Sequence, residues 1–343
     1  SRPYYIGVFE ITQRQYYDVV GKWPSKFSNP KWRDTRPVSN VSYVDLRGKP
    51  QDGYEFPKDG DRVDGDRFLG MLREAAGGRL AFDLPTEAQW EYAGRAGTTN
   101  FWNDGTGRDR YRVDGDKRER DRNLDRLGRY CANGGDVPNG NLGSEAPADC
   151  SPEQGTAIVG SYQPNAWGLY DFHGNVMEYC RGWFDPVFTN AWNCGKDPVG
   201  PAHAIKGSEN RHPIRGGCFW NYLYGGTDAA RAANRSYSGY PDQGTALACE
   251  GFRVFAPAEF SNKPLAMPGR MELPAEHIAA RAELLRGVNV VDVDAMPCPV
   301  LCTTREAFPV IAARNLDGTC NAVCAAAFHG KGRIVYFGHP AFL

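Results

Sequence analysis

Histidine is thin in this sequence. Only His173, His203, His212, His277, His329 and His339 occur in 343 residues, and no two stand at a ligand-like spacing. That scarcity argues against a histidine-ligated hydrolase or oxygenase. No Gly-x-Ser-x-Gly elbow occurs and no Cys/His dyad can be argued from spacing, so the usual markers of nucleophilic catalysis are missing. An excess of one charge is lacking as well: 40 Lys and Arg stand against 41 Asp and Glu, interleaved along the chain, for a formal net charge of −1. A nucleic-acid partner or an anionic membrane surface is therefore not expected. No apolar run approaches the roughly 20 residues of a membrane-spanning helix, so no membrane segment is expected either. The 10 cysteines are too few for a disulfide scaffold of this length. Cys131, Cys150, Cys180, Cys194, Cys218 and Cys249 are scattered singly and read first as small buried apolar side chains, second as disulfides. Cys298-x-x-x-Cys302 and Cys320-x-x-x-Cys324 make a symmetric pair of pairs. The prolines flanking Cys298 and the apolar run after Cys324 do not suit a zinc knuckle.

Glycine (40) and proline (24) are plentiful, which favours a loop-rich architecture, and the length suits one large domain plus a smaller piece. The stretch Asn165 to Cys180 is too polar for a buried strand and too glycine-rich for a helix, so it reads as an ordered irregular loop. Asp171 and Glu178, with carbonyls between them such as those of Gly174 and Val176, are the hard oxygen donors that Ca²⁺ takes in sets of about 6–8. The calcium is expected to be structural, freezing the loop.

Along the chain, Ile6 to Thr12 reads as a strand entering a helix, with Thr12 and Gln15 as a capping box and Gly21 as the stop. Glu10 reads as a structural hydrogen-bond acceptor before that cap. Pro37 to Ser42 is extended, and Ser42 with Asp45 starts another helical turn. Residues 47–66 read as a surface insertion. Arg67 to Ala76 is helical, with Phe68, Leu69 and Leu72 on one face and Gly77-Gly78 as terminator. Thr86 and Gln89 cap a helix carrying Trp90 and Tyr92 that ends near Gly94. The mixed-charge run from Asn103 to Arg129 reads as a solvated loop. Trp183 to Val199 is aromatic, irregular and expected to pack over the organising loop, and Ile214 to Phe219 reads as a strand. Beyond Pro257 the composition changes: residues 259–274 form a linker, and 275–343 a partial α/β unit with a helix at 275–285 and strands at 288–293, 310–312 and 333–337. Gly330-Lys331-Gly332-Arg333 is a turn, not a phosphate loop, because the Lys precedes a strand. Both ends look cut through structural units, so the chain reads as a fragment whose signal peptide, if any, lies outside it.

Four ordered blocks carry a resemblance. They are Tyr4 to Thr12; Leu84-Pro85-Thr86-Glu87-Ala88-Gln89-Trp90-Glu91-Tyr92-Ala93; Gly168-Leu169-Tyr170-Asp171 with Gly174-Asn175-Val176 and Glu178; and Arg215-Gly216-Gly217 with Gly251-Phe252-Arg253-Val254. Together they resemble the formylglycine-generating enzyme (sulfatase-modifying factor) family over residues 1–258. The resemblance implies a mixed α/β, loop-rich fold similar to C-type lectins. It implies that the helix at 86–94 supports the core, and that Asp83, standing where an arginine is usual, leaves a local ion pair unmade. It implies a second calcium site at Asn141 and the Leu142 carbonyl, completed near Ser151 or Asp149. Arg231, Arg235 and Arg253 would tie loops together through carboxylates and carbonyls.

Family enzymes hold copper(I) on two cysteines five residues apart after Arg-Gly-Gly, a soft cation on soft thiolates. Counted from Arg215, those positions are Asn221 and Gly226 here, so copper is not expected. Cys218 stands where the family has serine, and Cys249 lies far along the block. The stretch that replaces the cysteines is rich in aromatics and short polar groups, the makeup of adaptable binding surfaces. Trp220, Asn221, Tyr222, Tyr224, Asp228, Asn234, Tyr237 and Tyr240 are its candidate contacts, for a protein or glycan, with Phe219 and Trp220 at least half buried. Two functions stay open: a calcium-stabilised ligand- or protein-binding module, and a copper-dependent formylglycine-generating oxidase or related redox enzyme. The discriminator is whether Cys218 and Cys249 meet beside an exposed cleft. The oligomeric state and compartment are not fixed by the sequence; a calcium-built domain leans weakly outside the reducing cytosol.

Overall fold

The computed structural model describes residues 4–48, 63–77, 81–113, 118–135, 151–187, 198–201, 204–208, 211–220, 226–238 and 248–257, and the backbone of three later strands. The chain divides into two units, residues 1–257 and 258–343.

In the first unit, β1 (Tyr4–Ile6) precedes α1 (Gln13–Val20), whose Thr12/Gln15 capping box and left-handed Gly21 are both in place. The strand thus covers the start of the motif, and Gly7 to Thr12 runs on as irregular chain. A second reciprocal box, Ser42 with Asp45, opens α2 (Tyr43–Arg47). The apolar face of α3 (Phe68–Ala75) buries Phe68 and Leu69, with Leu72 packed partly against the same core. Thr86 and Gln89 cap α4 (Glu87–Arg95). Each box satisfies orphan N–H groups locally and contributes about 1 kcal/mol, which is why short helices persist in so irregular a chain.

The run from Asn103 to Arg129 is not a solvated loop. It holds a hairpin, β2 (Arg110–Arg112) against β3 (Glu119–Asp121), and the short α5 (Leu124–Leu127). Trp102, Leu124, Leu127, Tyr130, Ala132 and Ala230 form a buried cluster beneath it. Its charges pair with one another and with a distant partner: Arg122 meets Asp109, Arg126 meets Asp104, and Arg108 and Arg110 both reach Asp228 at 2.6 Å. Asp121 is buried and acts as a local cap, accepting from the Asn123 and Leu124 amides.

The central sheet has the order β6-β5-β4-β7, with β4 (Met177–Tyr179), β5 (His212–Arg215), β6 (Ser236–Ser238) and β7 (Glu250–Gly251). β4 pairs antiparallel with β5 and parallel with β7. The expected strand at 214–219 is shifted to 212–215, because Gly216 and Gly217 take positive φ and turn the chain out of the sheet. A strand also ends the loop expected to be wholly irregular: Met177–Tyr179 is buried along its length, and its one charge, Glu178, is neutralised within the core. A separate pair joins β1 to β8 (Phe255–Pro257), with Tyr4 opposite Pro257.

Asp83 does not leave an ion pair unmade. It is buried and receives Arg47 through Nε and Nη2 at 2.7 and 3.0 Å, with Arg73 at 3.4 Å and Arg181 at 3.5 Å. Burial alone would raise this carboxyl, but the three guanidiniums outweigh it and hold it below its ordinary range.

In the second unit, β9 (Ala307–Arg314), β10 (Cys320–His329) and β11 (Gly332–Phe337) make an antiparallel sheet in the order β11-β10-β9. β9 and β11 cover the expected strands; the long β10 was not anticipated. His329 pairs with Gly332, so the strands flanking Gly330 form a hairpin and not the strand-to-helix step of a phosphate loop. The expected linker, the helix at 275–285 and the strand at 288–293 lie outside the described residues, as does most of 47–66 and of 183–199. No helix among the described residues is long and apolar enough to cross a membrane.

Asp83→Ala should destabilise the first unit by about 3–5 kcal/mol, measured by chemical denaturation, because it strands three guanidiniums around a buried hole. A change below about 1 kcal/mol would mean that other acceptors hold those arginines.

Candidate functional site

The loop before β4 is fixed by side chains instead of ladder bonds. Asn165 accepts from the Trp167 and Leu169 amides and donates to the Ala93 and Gly94 carbonyls at the end of α4. Asp171 and Asn175 both adopt left-handed backbone, at φ 61° and 57°. Non-glycine residues rarely hold that conformation, and they keep it here because their side chains are held. Asn175 Oδ1 accepts from the Ala157 amide, Nδ2 donates to Glu10 at 2.6 Å, and its carbonyl accepts from Phe219 N–H. Gly174 is a steric requirement: a Cβ there would lie 1.9 Å from the Arg129 carbonyl oxygen.

His173 is the satisfied loop residue expected of it. Its Nε2 accepts from the Asn103 amide at 3.2 Å and its Nδ1 donates to the Ala230 carbonyl at 2.7 Å, so the ring is neutral with the proton on Nδ1. Burial pushes its pKa down to about 4.

Three buried carboxylates, Glu10, Asp171 and Glu178, lie within electrostatic reach of one another here. Glu178 Oε2 accepts from Arg253 Nε at 2.6 Å and Trp90 Nε1 at 2.8 Å, while Oε1 accepts from Arg253 Nη2 at 2.6 Å. The Arg253 guanidinium also donates to the Gly7, Val8 and Tyr170 carbonyls and lies 3.9 Å from the Phe172 ring centroid. Glu10 accepts from Asn175 Nδ2 and the Val176 amide, the structural-acceptor role expected of it. Asp171 Oδ2 accepts from the Gly160 amide at 2.7 Å, and its buried Oδ1 has no hydrogen-bond partner. Burial, then the charges of Asp171 and Glu178, push the Glu10 carboxyl well up; burial is also the main reason Asp171 is pushed up to about 6.

The predicted calcium residues Asp171, Gly174, Val176 and Glu178 thus share one buried turn-and-strand segment. Among the described residues, no three His, Cys, Asp or Glu side chains stand ready-made around one point for a metal. The donor chemistry nonetheless fits a hard cation: an orphaned carboxylate oxygen, a second raised carboxyl, and one guanidinium against three acids. Glu10 is the buried acid that sequence reading did not connect with this loop; its place before the Thr12 cap gave no sign of Asn175, 165 residues away. Asn141 and Leu142, the proposed second calcium site, lie outside the described residues, as do Asn221, Tyr222, Tyr224 and Tyr240 of the ligand surface.

The described residues of that set each have partners of their own. Asp228 is committed to Arg108 and Arg110, and Asn234 donates to the Ala229 carbonyl. Tyr237 is exposed, flanked by Phe184 and Arg211. Phe219 is fully buried and Trp220 half-buried, as expected. Arg235 grips Glu87 through Nε and Nη2 and donates to the Asp185 carbonyl, a loop tie of the predicted kind. Arg231 differs and lies over the Phe101 ring. Sequence reading missed a cleft of about 250 Å³ walled by Glu87, Glu91, Tyr92, Arg181, Trp183 and Arg215, whose acids are already held by Arg215, Arg235 and Arg95. Cys218 and Cys249 do meet, the Cys249 thiol hydrogen-bonding to Cys218, but both are buried.

A family model for the sulfatase-modifying factor enzyme 1-like domain matches residues 1–254. The chain is 29% identical over 213 residues to the chaperone protein LppX of Paenibacillus barcinonensis, covering 56% of this chain and 68% of that one. It is 35% identical over 159 residues to the formylglycine-generating enzyme of Streptomyces coelicolor, covering 44% of this chain and 41% of the enzyme, so it spans less than half of that relative. Among solved structures, Treponema denticola variable protein 1 aligns at a TM-score of 0.45 and 24% identity, over 74% of this chain and 84% of its own. PvdO from Pseudomonas aeruginosa aligns at 0.45 and 20%, over 74% and 80%.

The raised Asp171 carboxyl favours folding at low pH, and that contribution is lost as pH rises from the ordinary 3.8 through about 6. In chelator, the stability difference between wild type and Asp171→Asn should therefore shift by about 3 kcal/mol in favour of the variant between pH 3.5 and pH 7. Parallel pH curves for the two proteins would contradict this electrostatic account.

Proposed function

The chain belongs to the sulfatase-modifying factor family, and from that premise we propose that it is a calcium-stabilised binding module without the family's copper chemistry. The observation that carries the reading is the pair of residues at the copper positions: counted from Arg215-Gly216-Gly217 they are Asn221 and Gly226, and neither an amide nor a bare backbone replaces a thiolate for Cu(I). The buried state of Cys218 and Cys249 supports it further, since a catalyst that oxidises a substrate thiol needs sulfurs that a substrate reaches. The matched relatives are named as a formylglycine-generating enzyme, a chaperone protein and a serine/threonine-protein kinase, so the domain type alone does not fix one chemistry.

Calcium would be held by the Asp171 carboxylate and the Gly174 and Val176 carbonyls, with Glu10 and Glu178 balancing its charge. Of Glu178, Oε2 has both lone pairs used by Arg253 and Trp90, which leaves Oε1 as the oxygen able to turn to a cation. When bound, the ion supplies positive charge and fixes the loop; it activates no water in this reading. The ligand surface is the 219–240 segment, with Tyr237 and Trp220 as its described aromatics. A protein or glycan is the expected class of partner, since tyrosine and tryptophan give contact area at low entropic loss.

Saturating Ca²⁺ should raise the melting temperature at pH 7, by the linkage RT ln(1 + [L]/Kd), and Asp171→Ala should remove the rise. A melting curve indifferent to calcium and chelator would refute the metal assignment. The purified protein should neither take up Cu(I) stoichiometrically nor convert a cysteine-containing sulfatase peptide to its aldehyde; observing both would establish the oxidase instead.

A further inference from the structure

Cys218 follows the Gly216-Gly217 turn at the end of β5, and Cys249 immediately precedes β7. These two strands flank β4 on opposite sides. The register sets Arg215 opposite Glu178 and Glu250 beside Met177, so both cysteines reach the same end of the sheet, level with Asn175 and Val176. Backbone bonds pin them there: Cys249 O accepts from Met177 N–H at 2.7 Å, and Phe219 N–H donates to Asn175 O at 2.8 Å. The two positive-φ glycines turn the chain across the end of β4, and the sulfurs meet. Cys218 Sγ accepts from the Trp220 amide at 3.4 Å and from the Cys249 thiol. Both side chains belong to the main apolar core, next to Phe219 and Phe252. Cys131 and Cys180 are buried as well.

We infer that Cys218 and Cys249 form an intramolecular disulfide that closes the 218–249 span when the chain folds in the presence of a disulfide oxidant. Before the core closes, one of the pair, taken as Cys218, loses its proton and attacks one sulfur of the oxidant, for which oxidised glutathione is the simplest representative, releasing one glutathione thiolate. Cys249, deprotonated in turn, attacks the Cys218 sulfur of the mixed disulfide and expels the second glutathione. Two protein thiols are oxidised and one glutathione disulfide is reduced to two glutathione thiols, which take up the two protons that the protein thiols release. The two sulfurs then close from hydrogen-bonding contact to the S–S bond length of about 2.05 Å. Because the pair is sealed in the core, the bond forms during folding, and the native state then shields it from reductant. The binding and calcium assignments above are independent of it.

The test refolds the full chain in a glutathione redox buffer and, separately, in excess dithiothreitol, then alkylates under denaturing conditions and maps peptides. The expected result is a cross-linked peptide joining Cys218 to Cys249 in the oxidised sample, with Cys131 and Cys180 alkylated in both. The oxidised form should melt about 5–10 °C higher, from the entropy lost by the unfolded chain. Native oxidised protein should keep the bond in dithiothreitol until denaturant is added. Cys218→Ser and Cys249→Ala, made singly, should each melt alike in both buffers, which separates the cross-link from any packing effect of the substitutions. Alkylation of both Cys218 and Cys249 in the oxidised sample, or a cross-link from either to another cysteine, overturns the inference. So does a wild-type melting temperature that is the same in both buffers.

Discussion

The first unit hangs on the bond between Arg253 and Glu178. A glutamate in the middle of a buried strand is untenable without a partner, and Arg253 supplies one through two parallel N–H donors at 2.6 Å. The same guanidinium collects the Gly7 and Tyr170 carbonyls and lies on the Phe172 ring, so it joins the amino-terminal segment, the irregular loop and the central sheet at one point. Trp90 brings α4 to the other side of the same carboxylate. Glu10 and Asp171 then stand within the field of one cation already in use. That imbalance is the physical reason to expect another positive charge at this place.

Arginine does elsewhere in this unit what hydrogen-bonded ladders do in more regular folds. The strands of the first unit are two to four residues long, so most of its buried carbonyls need donors from outside a sheet. Arg129 serves the carbonyls of Asn133, Pro152 and Glu153, and Arg215 serves Ala232 as well as Glu87 and Glu91. A planar group with five donors suits loops that arrive from several directions, where an ammonium would not. The scaffold is accordingly cross-tied without being regular, and Gly128, Gly135 and Gly174 mark places where backbones approach too closely for a Cβ.

What the sequence disclosed was local. Thr12 with Gln15, Ser42 with Asp45 and Thr86 with Gln89 are three-residue relationships, and all three form the expected boxes. The loop from Asn165 onward was legible as ordered and irregular, and the four blocks made the family legible. Features set by distant partners were not. The charged run near Arg110 looked solvated because Asp228, which neutralises part of it, lies 118 residues further on. Asp83 looked bereft because its partners are spread from Arg47 to Arg181. The boundary of β5 was misplaced by reading Gly216-Gly217 as strand, when their positive φ ends it. Glu10 carried no local mark of its place beside Asp171, since charge coupling across a core has no period along the chain.

The pairing of Tyr4 with Pro257 means that the first and last strands of the unit are each other's neighbours. A ribosome delivers Tyr4 early and Pro257 more than 250 residues later, so the amino-terminal strand waits through nearly the whole synthesis of the unit for its mate. Until residues 250–253 are made, β4 also lacks its neighbour β7, and Glu178 lacks its guanidinium. The decisive step in folding this unit therefore waits until its last strand has been made, and a nascent chain halted before Arg253 presents an unfinished, aggregation-prone surface to whatever chaperones attend it.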